Sequence, residues 1–333
     1  SLPAVIDLEQ AMAPGAPLAR RRSEKEETAD LESIHAGSSA AAAAEDEEPV
    51  SANVLKRVRR QEGDVAEALA ASEVVCSGTF RTAWVYQAYL EPQVATAWID
   101  PDGTLVVSTS TQGAFVTRSE LSRALGLPLD RVRVRPAPLG GAFGGKFALI
   151  EPLAAAAALA LRRPVRLALT RSEDFAATNP APAQIMDIRV GARRDGTLVA
   201  LQARIVVDRG SNAGWGVEDI TSVLIAGLYR WQAYDIRAYA VQTNRFPFGA
   251  YRAPGAPPAT FAIESVLDEV AQKLDLDPIE LRLRNLVQEG DVSVNGKPFP
   301  ELGARQCLER ARQHPIWQRR RQLPADEGVG VAL

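Results

Sequence analysis

From residue 74 onward, short runs rich in β-branched and aromatic side chains are cut by turn residues, the pattern of strands joined by tight bends. Runs at 74–80, 93–99 and 104–109 predict strands, the last two joined through Pro101, Asp102 and Gly103. The apolar period then lengthens and predicts a helix over 114–125 that stops at Gly126, Leu127 and Pro128; alternation returns over 131–135 as a half-exposed strand. An alanine-rich stretch predicts a helix over 151–162, followed by a strand over 164–170. Asp195 and Gly196 form a strong hairpin turn between apolar runs at 185–190 and 198–207. Phe261, Val266, Val270 and Leu274 fall near helical spacing, and Asp277, Pro278 and Glu280 read as an N-cap, a first-turn proline and a capping-box acid opening another helix. Strands and helices interleave without an internal repeat, which gives the chain a mixed α and β character.

Before residue 64 the pattern is weaker. Residues 1–20 read as the end of a small preceding domain. The stretch from Arg20 to Pro49 is charge-rich and then rich in alanine and serine, with too few large apolar side chains to offset the entropy of ordering, so 21–63 is expected to be a linker or mobile loop. The main domain is expected over 64–290, and 291–333 as a connection to a second half carried elsewhere. Apolar, strand-like sequence at both ends adds the expectation of a split subunit or a fragment.

Composition narrows the chemistry. With 333 residues, 46% of them hydrophobic and 24% charged, the chain can bury full cores. A formal net charge of −3, with lysine and arginine scattered, gives no electrostatic case for nucleic acid or an anionic membrane surface, and no apolar run is long enough to span a bilayer. Cys76 and Cys307 lie far apart and outside any C-x-x-C context, so an iron–sulfur cluster or disulfide framework within this chain is not expected, and a cytoplasmic location fits. With only His35 and His314, a zinc site is not expected either; a metal would have to arrive inside a cofactor.

Three loops could carry chemistry. The segment from Gly140 to Lys146 has the spacing G-x-x-x-x-G-K, yet Phe147 stands where a nucleotide-binding loop needs a hydroxyl on magnesium, and the glycines do not fit G-x-G-x-x-G. What remains is a loop whose backbone N–H groups can approach a ligand closely, ahead of a helix, suited to an anionic or oxo-bearing group. Arg252, among the glycines and prolines of 248–258, presents one guanidinium from a stiff loop. Thr111, Gln112 and Gly113 form a polar bend between a strand and a helix.

Together and in this order, these segments resemble the molybdopterin-binding large subunits of the molybdenum hydroxylases, the xanthine dehydrogenase and aldehyde oxidoreductase family, in the first half of the cofactor-binding region. The likeness rests on Gln87-Ala-Tyr-Leu-Glu-Pro92, Ser110-Thr-Gln112, the G-G-x-F-G-G-K loop at 140–146 and the R-x-x-G-x-P loop at 252–257. The run at 277–286, Ser172-Glu-Asp-Phe175 with its R-x-E-D pattern, and Leu2-Pro-Ala-Val-Ile6, similar to the end of an α/β hammerhead domain, add to it.

The resemblance implies an α+β fold, a molybdenum-cofactor-binding domain of mixed sheets with packed helices preceded by the end of that hammerhead domain, and a molybdopterin, in its cytosine dinucleotide form, held by Gln112, Gly141, Ala142, Phe143, Gly144 and Arg252. It implies [2Fe-2S] and FAD groups on partner chains or domains, a second half of the molybdopterin-binding region, and a small-molecule substrate oxidised with water-derived oxygen. The family's glutamate base lies in a G-x-G-E motif with no counterpart here, so the chain is expected to contribute no catalytic residue and not to turn over alone; Glu151, Glu264 and Glu269 are expected to be solvated or capping carboxylates. Phe147 and Pro254 match substrate-channel positions. Phe147 replaces the glutamate of purine-oxidising relatives and Ala253 the cysteine of carbon monoxide dehydrogenases, which disfavours both substrates and leaves an aldehyde or an N-heteroaromatic carbon. The alternative is a scaffold or binding fragment without cofactor.

Overall fold

The computed structural model describes residues 4–20, 50–211 and 216–333. Contacts divide the chain into two compact units, one made of 1–83, 183–244 and 254–333, the other of 84–182 and 245–253. The α+β class and the mixed sheets are as the resemblance implies.

The first unit is built on a five-stranded sheet in the order β1-β9-β8-β7-β2, from β1 (Val54–Glu62), β2 (Val74–Thr82), β7 (Gln184–Ala192), β8 (Leu198–Gly210) and β9 (Ala233–Gln242). Neighbours run antiparallel except the parallel pair β8 and β9. β8 is central and buried at almost every position, which requires cover on both faces and explains its nearly continuous apolar sequence. The hairpin turn lies at the expected place: Gly196 takes φ 87°, and Asp195 Oδ1 accepts from the Thr197 N–H at 2.9 Å. The first helix, α1 (Leu8–Met12), and a second, α2 (Val65–Ala70), pack on this sheet, α1 within a core that joins Val5, Leu8, Ala11 and Met12 to Ile185, Val206, Tyr239 and Val241.

Strand β1 corrects the expectation of a linker over 21–63. Its sequence Val-Leu-Lys-Arg-Val-Arg-Arg-Gln-Glu reads as polar, yet Val58 and Arg60 are buried. Arg60 is tolerated there because it reaches Asp219 at 2.5 Å and Ser222 at 2.9 Å. Residues 21–49 of that stretch lie outside the described residues.

The second unit carries a four-stranded sheet in the order β5-β4-β3-β6, from β3 (Val94–Ile99), β4 (Leu105–Thr109), β5 (Val132–Pro136) and β6 (Val165–Ala168). β4 and β5 are parallel and joined by α3 (Ala114–Leu125), which ends on Gly126 in the left-handed conformation at φ 65°; α4 (Glu151–Leu161) lies against β3. Leu105, Val107, Leu121, Val132, Ile150 and the small Ala154, Ala155 and Ala158 make its core. A short helix, α5 (Arg171–Ala177), opens on a Thr170–Glu173 capping box.

Later in the chain come α6 (Val217–Leu224), α7 (Ala256–Lys273), α8 (Pro278–Asn285), α9 (Ala304–Gln313) and α10 (Pro315–Gln318). Asp277 caps α8 by accepting from the Ile279 N–H at 2.8 Å, while Glu280 faces Arg284 and Arg312 rather than closing a capping box. Of the expected helical apolar positions, Val266 and Val270 are fully buried but Phe261 is exposed, its edge against the Phe80 ring at 5.3 Å. Two carboxylates expected to be solvated or capping are interior, Glu151 with a capping contact as well. Glu151 accepts from Thr109 Oγ1 at 2.8 Å and from the Ile150 N–H at 3.1 Å, while Glu264 accepts from Arg282 Nε at 2.7 Å and from the Tyr229 hydroxyl at 2.7 Å. Glu269 is exposed as expected. Among the described residues no helix is long and apolar enough to cross a membrane.

Two stability outcomes follow. Leu121→Ala removes a fully buried side chain from the second unit's core and should cost about 2–5 kcal/mol in chemical denaturation; a change near zero would show that this core is not packed as described. Arg282→Met strips Glu264 of its buried counter-charge and should cost ~3 kcal/mol at neutral pH. Burial already raises the Glu264 carboxyl above the usual carboxylate range, with Arg282 and Tyr229 pulling it down. A raised folded-state value favours the protonated folded form, so the defect should shrink as pH falls from neutral toward the unfolded carboxylate range. A defect that grows on acidification contradicts the assignment.

Candidate functional site

The second unit gathers the three expected loops. The Ser110-Thr-Gln112 bend follows β4 and precedes α3; the glycine-rich loop lies between β5 and α4; the third spans 245–253. Backbone bonds tie them. The Gln112 N–H donates to the Lys146 carbonyl at 3.1 Å, and the Arg252 N–H donates to the Phe143 carbonyl at 2.9 Å. Gln112 adds its side chain, Oε1 accepting from the Gly144 N–H at 2.8 Å. Gln112, Phe143, Gly144 and Arg252 therefore share one cluster.

The approach is close enough to dictate residue type. A Cβ on Gly144, which has φ 103°, would lie 2.4 Å from the Ala250 carbonyl oxygen, so only glycine lets these two loops meet. Gly141 turns at φ 96° and Ala142 is buried beside it. Six non-glycine residues described take a positive φ: Ala88, Phe143, Ala148, Arg162, Ala253 and Asp275. The first three and Ala253 lie in or directly beside these loops, so backbone strain concentrates where the loops meet.

The outward side of the cluster is rich in donors. Arg252 is exposed and, among the described residues, its guanidinium has no ion-pair partner. Gln112 is exposed with its oxygen committed to Gly144, which leaves its amide N–H₂ as the free end. Phe143 is 45% exposed. Phe147 is half-buried with its ring against Gly113, where an added Cβ would meet Cε1 at 3.0 Å. Pro254 belongs to the other unit, just ahead of α7.

Below the loop lies a layer built from the segment at 87–93, which carries part of the family likeness but was given no role from the sequence. Gln87, Tyr89 and Gln93 are buried, Glu91 is half-buried, and Leu90 between them is 91% exposed. Gln87 Nε2 donates to the Ala250 carbonyl at 2.7 Å and to the Asn179 carbonyl at 3.0 Å; Gln93 Nε2 donates to the Gly145 carbonyl at 2.7 Å and to the Tyr89 hydroxyl at 2.8 Å. Glu91 Oε2 accepts from the Gly140 N–H at 2.8 Å and from Lys146 Nζ at 2.6 Å, and the Lys146 ammonium sits 4.7 Å from the centre of the Tyr89 ring. Burial pushes the Glu91 carboxyl up, but Lys146 and the Gly140 N–H outweigh it and hold the group below its ordinary value. The fully buried Asp174 accepts from the Tyr86 hydroxyl, from Tyr89 Oη at 3.2 Å and from Arg171 Nη1 at 2.9 Å. Burial, and then the bond to Asp174, raises the Tyr86 hydroxyl well above its usual value, so it stays protonated. The missed signal was a two-residue period of polar and aromatic side chains at 87, 89, 91 and 93.

Lys146 is entirely buried. Its charge is spent on Glu91 and not on the surface, which removes the remaining argument for a phosphate-binding lysine. Among the described residues no three His, Cys, Asp or Glu side chains gather as a metal site.

A model of the molybdopterin cofactor-binding domain matches residues 46–286. The xanthine dehydrogenase molybdenum-binding subunit of Escherichia coli O157:H7 is 34% identical over 305 residues, covering 88% of this chain and 41% of that protein. Among solved structures, the aldehyde oxidoreductase of Desulfovibrio gigas aligns with a TM-score of 0.76 at 28% identity, over 85% of this chain and 32% of that one. Quinoline 2-oxidoreductase of Pseudomonas putida 86 aligns with a TM-score of 0.78 at 27% identity, over 96% and 39%. The chain spans less than half the length of each of these relatives. With the family match running through all three loops, the chain belongs to the molybdopterin cofactor-binding domains of the xanthine dehydrogenase and aldehyde oxidoreductase molybdenum-binding subunits.

Proposed function

We propose that this chain forms part of the molybdopterin site of a molybdenum hydroxylase that oxidises an aldehyde or an N-heteroaromatic carbon with oxygen taken from water. The observation that carries the reading is the convergence of Gln112, Phe143, Gly144 and Arg252, which leaves donors outward and carbonyls tied inward. That donor set fits an anionic, oxo-bearing pterin cofactor: an exposed guanidinium for an oxyanion, an amide N–H₂, and glycine backbone that admits close approach. Bound there, the cofactor would supply both the activated oxygen and the acceptor for the substrate's electrons.

The chain's own residues bind and orient. Gln112 holds the Gly144 N–H and thereby fixes the loop beneath the cofactor, while its amide N–H₂ donates outward. Arg252 places a fixed positive charge at the edge of the cluster, on a backbone anchored by the Phe143 carbonyl. Gly141 and Ala142 shape the turn, and Phe147 gives the substrate side an aromatic wall in place of a carboxylate, which favours an apolar ring or aldehyde over a purine. Glu151 and Glu264 are committed to buried partners and are not candidates for the proton-abstracting base. That base, the second half of the site, the [2Fe-2S] and FAD groups and the cytosine dinucleotide form of the pterin belong, in this reading, to the rest of a cytoplasmic complex.

Molybdenum and pterin analysis of the purified native complex should find both in stoichiometric amount; a metal-free, pterin-free complex would favour a scaffold instead. Arg252→Ala should lower molybdenum occupancy by about tenfold, the loss of one charge-assisted contact, with the melting temperature unchanged. Full occupancy in that variant would remove Arg252 from the site.

A further inference from the structure

The glycine-rich loop makes few contacts through side chains of its own, yet its path is tightly fixed. One carboxylate oxygen receives both ends of it: Glu91 Oε2 takes the N–H of Gly140, where the loop begins, and the ammonium of Lys146, where it ends. The Glu91 N–H adds a bond to the Gly140 carbonyl at 3.2 Å. A Cβ on Gly140 would lie 2.6 Å from Glu91 Cβ, and one on Gly145 would lie 2.8 Å from Tyr89 Cε1, so the loop rests directly on this layer. Lys146 is wholly enclosed, with Ser110 Oγ at 3.4 Å as its other oxygen neighbour. A buried ammonium without its carboxylate would be expelled or neutralised, and the loop end would go with it.

We propose that Glu91 is the positioning residue for the cofactor loop, a clasp that closes 140–146 by binding its first N–H and its last side chain on a single oxygen, with Lys146 as the buried counter-charge. Gly144 and Phe143 sit within the span so closed, and their backbone meets Gln112 and Arg252 only if it is. The clasp itself is independent of any ligand; its effect on cofactor binding rests on the function proposed above.

The test uses the full-length native enzyme, with Glu91→Gln, the double variant Glu91→Gln/Lys146→Met, and Arg133→Gln as a control that breaks an exposed pair with Asp100 in the same unit. Hydrogen exchange of the peptide covering 139–148 is followed by mass spectrometry, beside molybdenum and pterin content. Glu91→Gln should speed exchange of the loop amides by about tenfold or more, the loss of one charge-assisted bond, and should lower cofactor content, with α4 and β3 protected as in the wild type. The double variant relieves the stranded ammonium, so it should recover any lost melting temperature but not loop protection or cofactor content. Arg133→Gln should match the wild type. Wild-type exchange and cofactor content in Glu91→Gln, or in the double variant if the single one does not fold, would overturn the proposal. Exchange that accelerates equally across the whole unit in the double variant would also overturn it, by showing a general rather than a positioning role. Faster loop exchange in an enzyme that never carries molybdenum or pterin would leave the clasp standing and defeat the functional reading alone.

Discussion

The structure of the candidate site depends on how a glycine-rich loop, which has almost no side chains to hold it, is kept in one shape. The solution is to place the holding groups on a different segment. Alternate residues of 87–93 turn inward and meet the loop with an amide, a phenol, a carboxylate and a second amide, while the intervening Leu90 faces outward. Gln87, Glu91 and Gln93 each bond a backbone group of the loops, Glu91 also takes the Lys146 ammonium, and the Tyr89 hydroxyl lies between Gln93 and Asp174. Because glycine lowers the cost of close approach but raises the entropy cost of order, such a loop needs this many external ties to stay folded.

That arrangement also divides labour between the two faces of the cluster. Carbonyl oxygens of 143, 145, 146 and 250 are satisfied within the protein, and the exposed face is left with the Gln112 amide, the Arg252 guanidinium and the Phe143 ring. In the proposed function these exposed side chains meet a ligand with many acceptor atoms. The same reasoning separates this loop from a nucleotide-binding loop of similar spelling, in which the lysine must remain free for phosphate; here it is enclosed and neutralised.

Much of the fold was legible in the sequence because the signals were local. The helix at 114–125 ends on the glycine that marks it, the Asp195–Gly196 turn fixes a hairpin, and Asp277 with Pro278 starts α8 where expected. What was not legible required knowledge of burial. Strand β1 looked like a polar linker because Arg60 pairs in the interior with Asp219, a partner 159 residues away. The burial of Glu264 and Glu151 was hidden for the same reason, since nothing local announces Arg282 or Thr109 as their partners. Within the site, the convergence of Gln112, Phe143 and Arg252 came from order and spacing of motifs, while Glu91 and Lys146 were in plain view without a role. A carboxylate paired across the fold with a lysine 55 positions later leaves no trace in a local pattern.

The proposed function requires three bends far apart in sequence to share one cofactor. Its most direct test is a crystal structure of the native full-length enzyme, with the molybdenum located by anomalous scattering at its absorption edge. The expected result is a metal peak with pterin density beside Gln112, Phe143, Gly144 and Arg252. A metal peak with its pterin at any other place in the molecule, away from those loops, would contradict it.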